Sequence, residues 1–332
     1  MRPFHYEHAT DRPQALKLAA VAGANAHYLA GGTTLIDLMK LDVMRPATVV
    51  DINALAGEHS EVRLDGGHLR LGALARMADV ADHPTVRSDY PMIAQALDLA
   101  ASPQIRNMAS LGGNVLQRTR CTYFRDTSWA ACNKRNPGSG CAALEGVNRK
   151  LAILGVSDHC IANYPGDFAV ALVALRATVD LEGPAGQRVI PFEELHRLPA
   201  DTPHVETTLK PGELITGFSV PTGPWTRRSL YLKIRDRQSY EFALASAAVA
   251  LDLESGLVRE ARIGLGGVAA KPWRAPEAEA ELRGKPLTEA TARAAADAAF
   301  AGATAGGQRA FKPELGRRTL MRALKQAHAM EA

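Results

Sequence analysis

Apolar positions near the N-terminus follow a helical period in some segments and form short runs in others. Residues 11–22 place apolar side chains three to four positions apart, which predicts an amphipathic helix. Residues 26–30 form a short apolar run that ends at a pair of glycines, and residues 35–40 return to the helical spacing. A further apolar run at 48–52 predicts a strand. Together these elements predict a small α/β unit over about residues 1–55.

A second and larger region follows, at about residues 56–223. The apolar run at 69–73 predicts a strand, and residues 90–101 have the spacing of a helix. Another helix is predicted over 167–175, where Asp167 suits the N-cap because its carboxylate can accept from free backbone N–H groups.

The C-terminal third has a different pattern. Residues 221–224 read Pro-Thr-Gly-Pro, which is typical of a linker. Extended stretches follow it at 229–235, 242–253 and 258–266, and helical patterns then follow at 287–301 and 313–328. This order predicts an antiparallel sheet with helices, in a separate domain over residues 224–332. The chain as a whole is expected to belong to the α+β class.

Composition excludes several classes of protein. The 332 residues are 46% hydrophobic and 22% charged, which is typical of a globular protein and argues against disorder. The net charge of +4 is too small to favour a nucleic-acid partner. No run of about 18 apolar residues predicts a membrane span, and we expect no secretory signal in the polar N-terminal segment.

The positive charge is concentrated in one segment. Between positions 118 and 150, seven basic residues stand against Asp126 and Glu145, a local charge of +5. They are Arg118, Arg120, Arg125, Lys134, Arg135, Arg149 and Lys150. Such a segment indicates either a nearby anion or a solvated surface, and charge alone does not decide between them.

All four cysteines fall in or just after the same segment. They are Cys121, Cys132, Cys141 and Cys160, separated by 10, 8 and 18 residues. Three interpretations are open: disulfides, a structural zinc site, and an iron–sulfur cluster. The spacing lacks the close cysteine pairs of most zinc sites, and it matches no common ferredoxin pattern. Nearby basic residues would suit the negative charge of a thiolate-bound cluster.

Two glycine pairs are candidate ligand loops. Gly31-Gly32 and Gly112-Gly113 each precede or open a predicted turn, where backbone N–H groups can bind an anion such as phosphate. Neither matches the GxGxxG or Walker pattern. A purely structural turn is at least as good an interpretation of the first loop. Ser110 and Asn114 flank the second pair and favour a ligand there, because they bring polar side chains to a place where backbone can approach it closely. Lys233 is by default an exposed strand residue.

Taken together, these residues resemble the FAD-binding medium subunit of the molybdenum hydroxylases, the family of xanthine dehydrogenase and aldehyde oxidoreductases. The loops at 30–33 and 110–114 resemble the two flavin diphosphate loops of that family, and Tyr231-x-Lys233 resembles the start of its C-terminal domain. The cysteine segment resembles a cluster insertion found in the aldehyde oxidoreductase branch.

The resemblance implies a domain organisation. A two-part FAD-binding domain of the PCMH type would cover residues 1–223, with an Fe-S insertion at about 118–163. Residues 224–332 would form the C-terminal domain of the CO dehydrogenase flavoproteins.

It also implies two cofactors and their binding residues. FAD would be bound by His27, Tyr28, Leu29, Ala30, Gly31, Gly32, Thr33, Thr34, Leu35, Ile105, Ser110, Gly113, Asn114, Gln117, Asp167, Ile215 and Lys233. A [4Fe-4S] cluster would be bound by Cys121, Cys132, Cys141 and Cys160. No side chain is required as a catalytic acid or base.

The implied function is electron transfer in a molybdenum-dependent aldehyde oxidoreductase. The partners would be a molybdopterin-binding large subunit and a [2Fe-2S] small subunit, and electrons from the partner would reach FAD in this chain. Export in complex with a partner would place the protein in the periplasm, with the cytoplasm as the alternative. Two alternative functions are open. One is a self-sufficient FAD-dependent reductase or oxidase of the same fold, and the other is an interaction module stabilised by zinc.

Overall fold

The computed structural model describes residues 1–331, in which three sheets are flanked by helices. The first sheet is parallel and has the order β1-β3-β2, formed by β1 (His5–His8), β2 (Ala26–Leu29) and β3 (Thr48–Asp51). Its helices are α1 (Arg12–Ala22), α2 (Leu35–Lys40) and α3 (Ala56–His59). The helix predicted over 11–22 is confirmed by α1. It begins where the Asp11 side chain accepts a hydrogen bond from the backbone N–H of Gln14 at 2.8 Å and so caps the helix.

The second sheet is antiparallel and lies between residues 62 and 221. Its order is β4-β5-β8-β6-β7, formed by β4 (Val62–Asp65), β5 (His68–Gly72), β6 (Thr178–Gly183), β7 (Gly186–Pro191) and β8 (Leu214–Pro221). The helices of this region are α4 (Met77–Asp82), α5 (Pro84–Asp89), α6 (Pro91–Asp98), α7 (Pro103–Met108), α8 (Leu111–Val115), α9 (Thr122–Arg125) and α10 (Phe168–Ala174). Every residue of α10 is buried, so this helix lies at the centre of the largest apolar core.

Two local predictions in this region are corrected. The helix predicted over 90–101 is only α6, since Pro91 starts it and the chain turns after Leu99. The second glycine pair is not a bare turn but part of α8, where the Ser110 hydroxyl accepts from the N–H of Gly113 at 3.2 Å.

The third sheet confirms the predicted C-terminal α+β unit. It is antiparallel with the order β12-β11-β10-β9, formed by β9 (Ser229–Ile234), β10 (Ala245–Glu254), β11 (Leu257–Gly266) and β12 (Trp273–Arg274). Three helices cover it: α11 (Pro276–Leu282), α12 (Glu289–Ala299) and α13 (Lys312–His328). Their apolar faces share one core with β10 and β11.

A buried lysine fastens the cysteine segment to this domain. The side chain of Lys312 is fully buried, and its Nζ donates to the backbone oxygens of Lys150, Leu151 and Gly267 at 3.2, 2.8 and 2.7 Å. Burial lowers the pKa of Lys312 to about 7. Three carbonyls therefore replace the water that this amine would otherwise bind.

Within residues 1–331, no helix is both long enough and apolar enough to cross a membrane.

Candidate functional site

A cavity of about 860 Å³ lies where the first sheet meets the second region and the loop before β8. Its volume is in the range of small-molecule and cofactor sites. Thirteen of the residues predicted to bind a cofactor line it: His27, Tyr28, Leu29, Ala30, Gly31, Gly32, Thr33, Thr34, Leu35, Ser110, Gly113, Gln117 and Ile215. We call it the large cavity.

The two glycine loops meet on one wall of the large cavity. A methyl group at Gly31 would lie 1.9 Å from the carbonyl oxygen of Met108, so only glycine allows the loops to approach this closely. Gly32 has a φ of 72°, a left-handed conformation that glycine adopts at low cost. The helices that follow, α2 and α8, have only six and five residues. Any anion here would therefore be bound mainly by individual backbone N–H groups rather than by a helix dipole.

Two polar side chains hold these loops together, and sequence reasoning missed both. Asn53 donates to the carbonyl of Ala30 at 3.1 Å, and Arg76 donates to Asn53 at 3.1 Å and to the carbonyl of Met108 at 2.5 Å. Neither residue belongs to a motif, and each is distant in sequence from the loops it joins. Only the fold brings them together.

The opposite wall comes from residues 196–215, of which the sequence analysis predicted only Ile215. Tyr28 donates to the carbonyl of Gly212 at 2.9 Å across the large cavity. His196 is buried, and its Nε2 donates to the carbonyl of Val115, which also accepts from the Tyr164 hydroxyl, both at 2.9 Å. Burial lowers the pKa of His196 to about 4, so the ring is neutral at pH 7.

Four predicted cofactor residues do not line the large cavity. Ile105 lies on α7 and Asn114 on α8, while Asp167 and Lys233 form a buried ion pair. Their proposed contact with a flavin remains a prediction.

The Asp167–Lys233 pair corrects two expectations. Asp167 stands before α10 but makes no capping hydrogen bond, because its carboxylate accepts from Lys233 at 2.8 Å and from the Tyr231 hydroxyl at 2.6 Å. Lys233 is not an exposed strand residue: its side chain is 1% exposed, and its Nζ also donates to the carbonyl of Leu99 at 3.0 Å. The reason is that β9 packs on α6 as well as on the C-terminal domain. Burial raises the pKa of Asp167, and the charge of Lys233 opposes that shift.

All four cysteines line a second, smaller cavity, which we call the thiol cavity. Cys132 and Cys141 pair as an isolated antiparallel bridge, and Cys121 and Cys160 complete the lining. All four thiols are free, and three are buried while Cys141 is half-buried. Burial raises the pKa of Cys121 to about 12 and also raises that of Cys160. With no metal bound, the thiols of Cys121 and Cys160 are therefore protonated at pH 7.

Among residues 1–331, no three His, Cys, Asp or Glu side chains are placed to hold one metal ion. Four cysteine thiols around one cavity are a donor set that iron–sulfur clusters use and that structural zinc also uses. The residues present therefore fit a thiolate-ligated cluster, and the cluster itself stays a prediction.

The concentrated positive charge is largely paired by carboxylates from other parts of the chain. Arg118 and Lys134 bind Glu206, Arg120 and Arg125 bind Asp37, Arg149 binds Asp236, and Lys150 binds Asp236 and Glu241. Arg135 instead donates to four backbone carbonyls of residues 123–129. Carboxylates of the protein itself therefore supply a nearby anion for most of these residues.

Sequence comparison agrees with these observations. The family described as "FAD binding domain in molybdopterin dehydrogenase" matches residues 2–223, and the "CO dehydrogenase flavoprotein C-terminal domain" matches residues 230–327. The aldehyde oxidoreductase FAD-binding subunit PaoB of Escherichia coli is 44% identical over 330 residues, covering 99% of each chain. The glyceraldehyde dehydrogenase medium chain of Sulfolobus acidocaldarius is 28% identical, covering 86% of this chain and 83% of the relative.

Structural comparison gives the same result. Carbon monoxide dehydrogenase from Hydrogenophaga pseudoflava superposes with a TM-score of 0.76 at 27% identity, covering 98% of each chain. The reconstituted CO dehydrogenase of Oligotropha carboxidovorans has the same fold, with a TM-score of 0.78 at 24% identity over 99% of each chain. With two family domains in order and a full-length relative at 44% identity, this chain belongs to the molybdenum hydroxylases as one of their FAD-binding medium subunits, and is thus an oxidoreductase subunit.

Proposed function

We propose that this chain is the FAD- and [4Fe-4S]-containing electron-transfer subunit of a molybdenum-dependent aldehyde oxidoreductase. The observation that carries the proposal is that one chain contains both the large cavity, with its two glycine loops, and the thiol cavity with its four cysteines. The relative with 44% identity, which is named as an aldehyde oxidoreductase subunit, supports an aldehyde as the substrate of the assembled enzyme.

The FAD would be held mainly by backbone. Residues 27–35 and the loop at 110–117 would bind the diphosphate and the adjacent groups, with Ile215 on the opposite wall. Asn53 and Arg76 would act from behind by keeping the two loops at the spacing that Gly31 permits. When bound, FAD accepts electrons singly and delivers them singly or in pairs, which suits a subunit between one-electron donors and a terminal acceptor.

The cluster would be held by Cys121, Cys132, Cys141 and Cys160 as thiolates. The burial that raises the pKa of Cys121 and Cys160 would be offset by the positive charge of the irons. Isolated backbone bridges pair Cys132 with Cys141 and Cys160 with Ser157, and this supports the assignment because it holds the backbone at three of the four cysteines.

The aldehyde itself would be oxidised on a partner. The name "medium chain" of one relative implies large and small partners. We propose that these are a molybdopterin-binding large subunit, in keeping with the matched family, and a [2Fe-2S] small subunit. No residue of this chain is assigned as a catalytic acid or base. The proposed location is the periplasm, reached by export together with a partner.

The proposed domain limits are those of the sequence analysis. They are an FAD-binding domain at 1–223, with parts at about 1–55 and 56–223 and an insertion at about 118–163, followed by 224–332.

The test is to measure iron, acid-labile sulfide, zinc and flavin on the full chain after anaerobic purification away from its partners. We expect about four irons and four sulfides per FAD. Cys160→Ser is expected to lose iron and keep flavin. His159→Ala is the matched control, because His159 lines the same cavity but is not assigned as a ligand, so it should keep both.

Other outcomes contradict defined parts of the proposal. One zinc without sulfide would make the cysteines a structural ion site. Flavin without any metal would leave an FAD subunit with free thiols. A colourless chain would contradict the whole proposal and favour an interaction module.

A further inference from the structure

Three charged side chains stand between the two cavities and form what we call the partition: Arg118, Lys134 and Glu206. Lys134 lines both the thiol cavity and the large cavity. Arg118 and Glu206 line the large cavity. No other charged side chain is common to the two linings among residues 1–331.

The partition is tightly bonded. Glu206 accepts from Arg118 Nε at 2.5 Å and pairs with Lys134 Nζ at 3.3 Å, while Lys134 also donates to the carbonyl of Pro203 at 3.0 Å. The side chains of Arg118 and Glu206 are each 24% exposed and that of Lys134 is 11% exposed. The Arg118 guanidinium lies 4.5 Å from the centre of the Phe124 ring, and that ring lines the thiol cavity. Lys134 therefore contacts both cavities directly. Arg118 contacts the large cavity and also a ring that lines the thiol cavity.

The three charges add to +1. Charges that are mostly screened from water interact more strongly than surface charges at the same separation. Reduction of a group in either cavity adds negative charge close to this partition. A net positive partition favours the reduced state on both sides.

We infer that the Arg118–Glu206–Lys134 partition sets the potentials of both redox sites in the same direction. The inference rests on the proposed function, because it requires a flavin in the large cavity and a cluster in the thiol cavity. It adds to that function a role for three residues that are not assigned as ligands of either group.

Opposite substitutions should have opposite effects. Lys134→Met changes the partition from +1 to 0 and should lower both midpoint potentials. Glu206→Gln changes it from +1 to +2 and should raise both. Lys134→Arg keeps the charge and should leave both potentials near the wild-type values.

Lys150→Met is the matched control. Lys150 belongs to the same basic segment, but it pairs with Asp236 and Glu241 at the surface and lines neither cavity. Its removal also subtracts one positive charge from the chain, so it tests whether any change in net charge would have the same effect. We expect neither potential to shift.

The experiment measures both midpoint potentials in one redox series on the full chain, following the flavin by visible absorption and the cluster by EPR. Shifts of both centres, downward for Lys134→Met and upward for Glu206→Gln, would support the inference. A shift of one centre only, shifts of the same sign in the two variants, or an equal shift in Lys150→Met would overturn it. A wild-type chain that lacks flavin or cluster would instead refute the proposed function, and this inference with it.

Discussion

The close contact between the two glycine loops gives the sharpest prediction, which is the effect of Gly31→Ala. The φ of Gly31 is not in the left-handed region, so alanine can adopt the backbone conformation without strain. The cost is steric alone. The new methyl carbon would lie 1.9 Å from the Met108 oxygen and 2.7 Å from its carbonyl carbon, and both are backbone atoms that no rotamer change can move.

The size of the effect follows from these distances. Real Cβ atoms do not approach other heavy atoms closer than 3.0 Å, so one loop must retreat by about 1 Å. Shifts of this kind in packed regions cost about 1–3 kcal/mol. Because the loops form one wall of the large cavity, we expect this cost to appear in FAD binding, where each 1.4 kcal/mol is tenfold in Kd. The expected rise in Kd is about 5- to 150-fold.

The assay is fluorescence quenching of FAD by the reconstituted full chain, together with the free energy of unfolding in urea. Gly57→Ala is the matched control: it lies on α3, no atom is within 4 Å of the added methyl, and its φ is not positive. This control should keep the wild-type Kd and gain up to about 1 kcal/mol of stability. If Gly31→Ala binds FAD as tightly as Gly57→Ala does, the loop contact does not form the FAD site.

Other predictions concern stability and pH. Lys312→Met leaves three buried carbonyls without a donor and should lower the free energy of unfolding in urea by about 3 kcal/mol or more. The control is Lys325→Met, at an exposed position of the same helix, which should lower this free energy by less than about 0.5 kcal/mol. Arg76→Ala should weaken FAD binding about tenfold while iron content stays unchanged, because the arginine joins the glycine loops and does not reach the cysteines; loss of iron would show that its role is global. His196 has a pKa of about 4 when folded, below its unfolded value near 6.5, so the chain should lose stability as pH falls from 6.5 to 4. His196→Gln can still donate to the carbonyl of Val115, and comparison of urea unfolding at pH 7 and pH 5 should show a smaller loss than in the wild type; equal losses would contradict the assigned pKa.

Elements that depend on neighbours along the chain could be predicted from the residues alone. The helix over 11–22 could be predicted because Asp11 caps it and the apolar spacing is regular. Three strands of the C-terminal sheet could be predicted because they are long and antiparallel, with each following the last, whereas the two-residue β12 was missed. The glycine loops could be singled out because paired glycines stand at predicted turns, and the four cysteines because all of them lie close together in one segment.

Which residues face each other became clear only from the folded chain. Asp167 has the residue type and the position of an N-cap, yet a buried lysine 66 positions later takes its carboxylate. The basic segment reads as an excess of charge, yet Asp37 and Glu206 lie opposite it in the fold. The physical reason is that hydrogen-bond capping acts over three residues, whereas ion pairs and burial depend on distance in space, which the order of the residues does not contain.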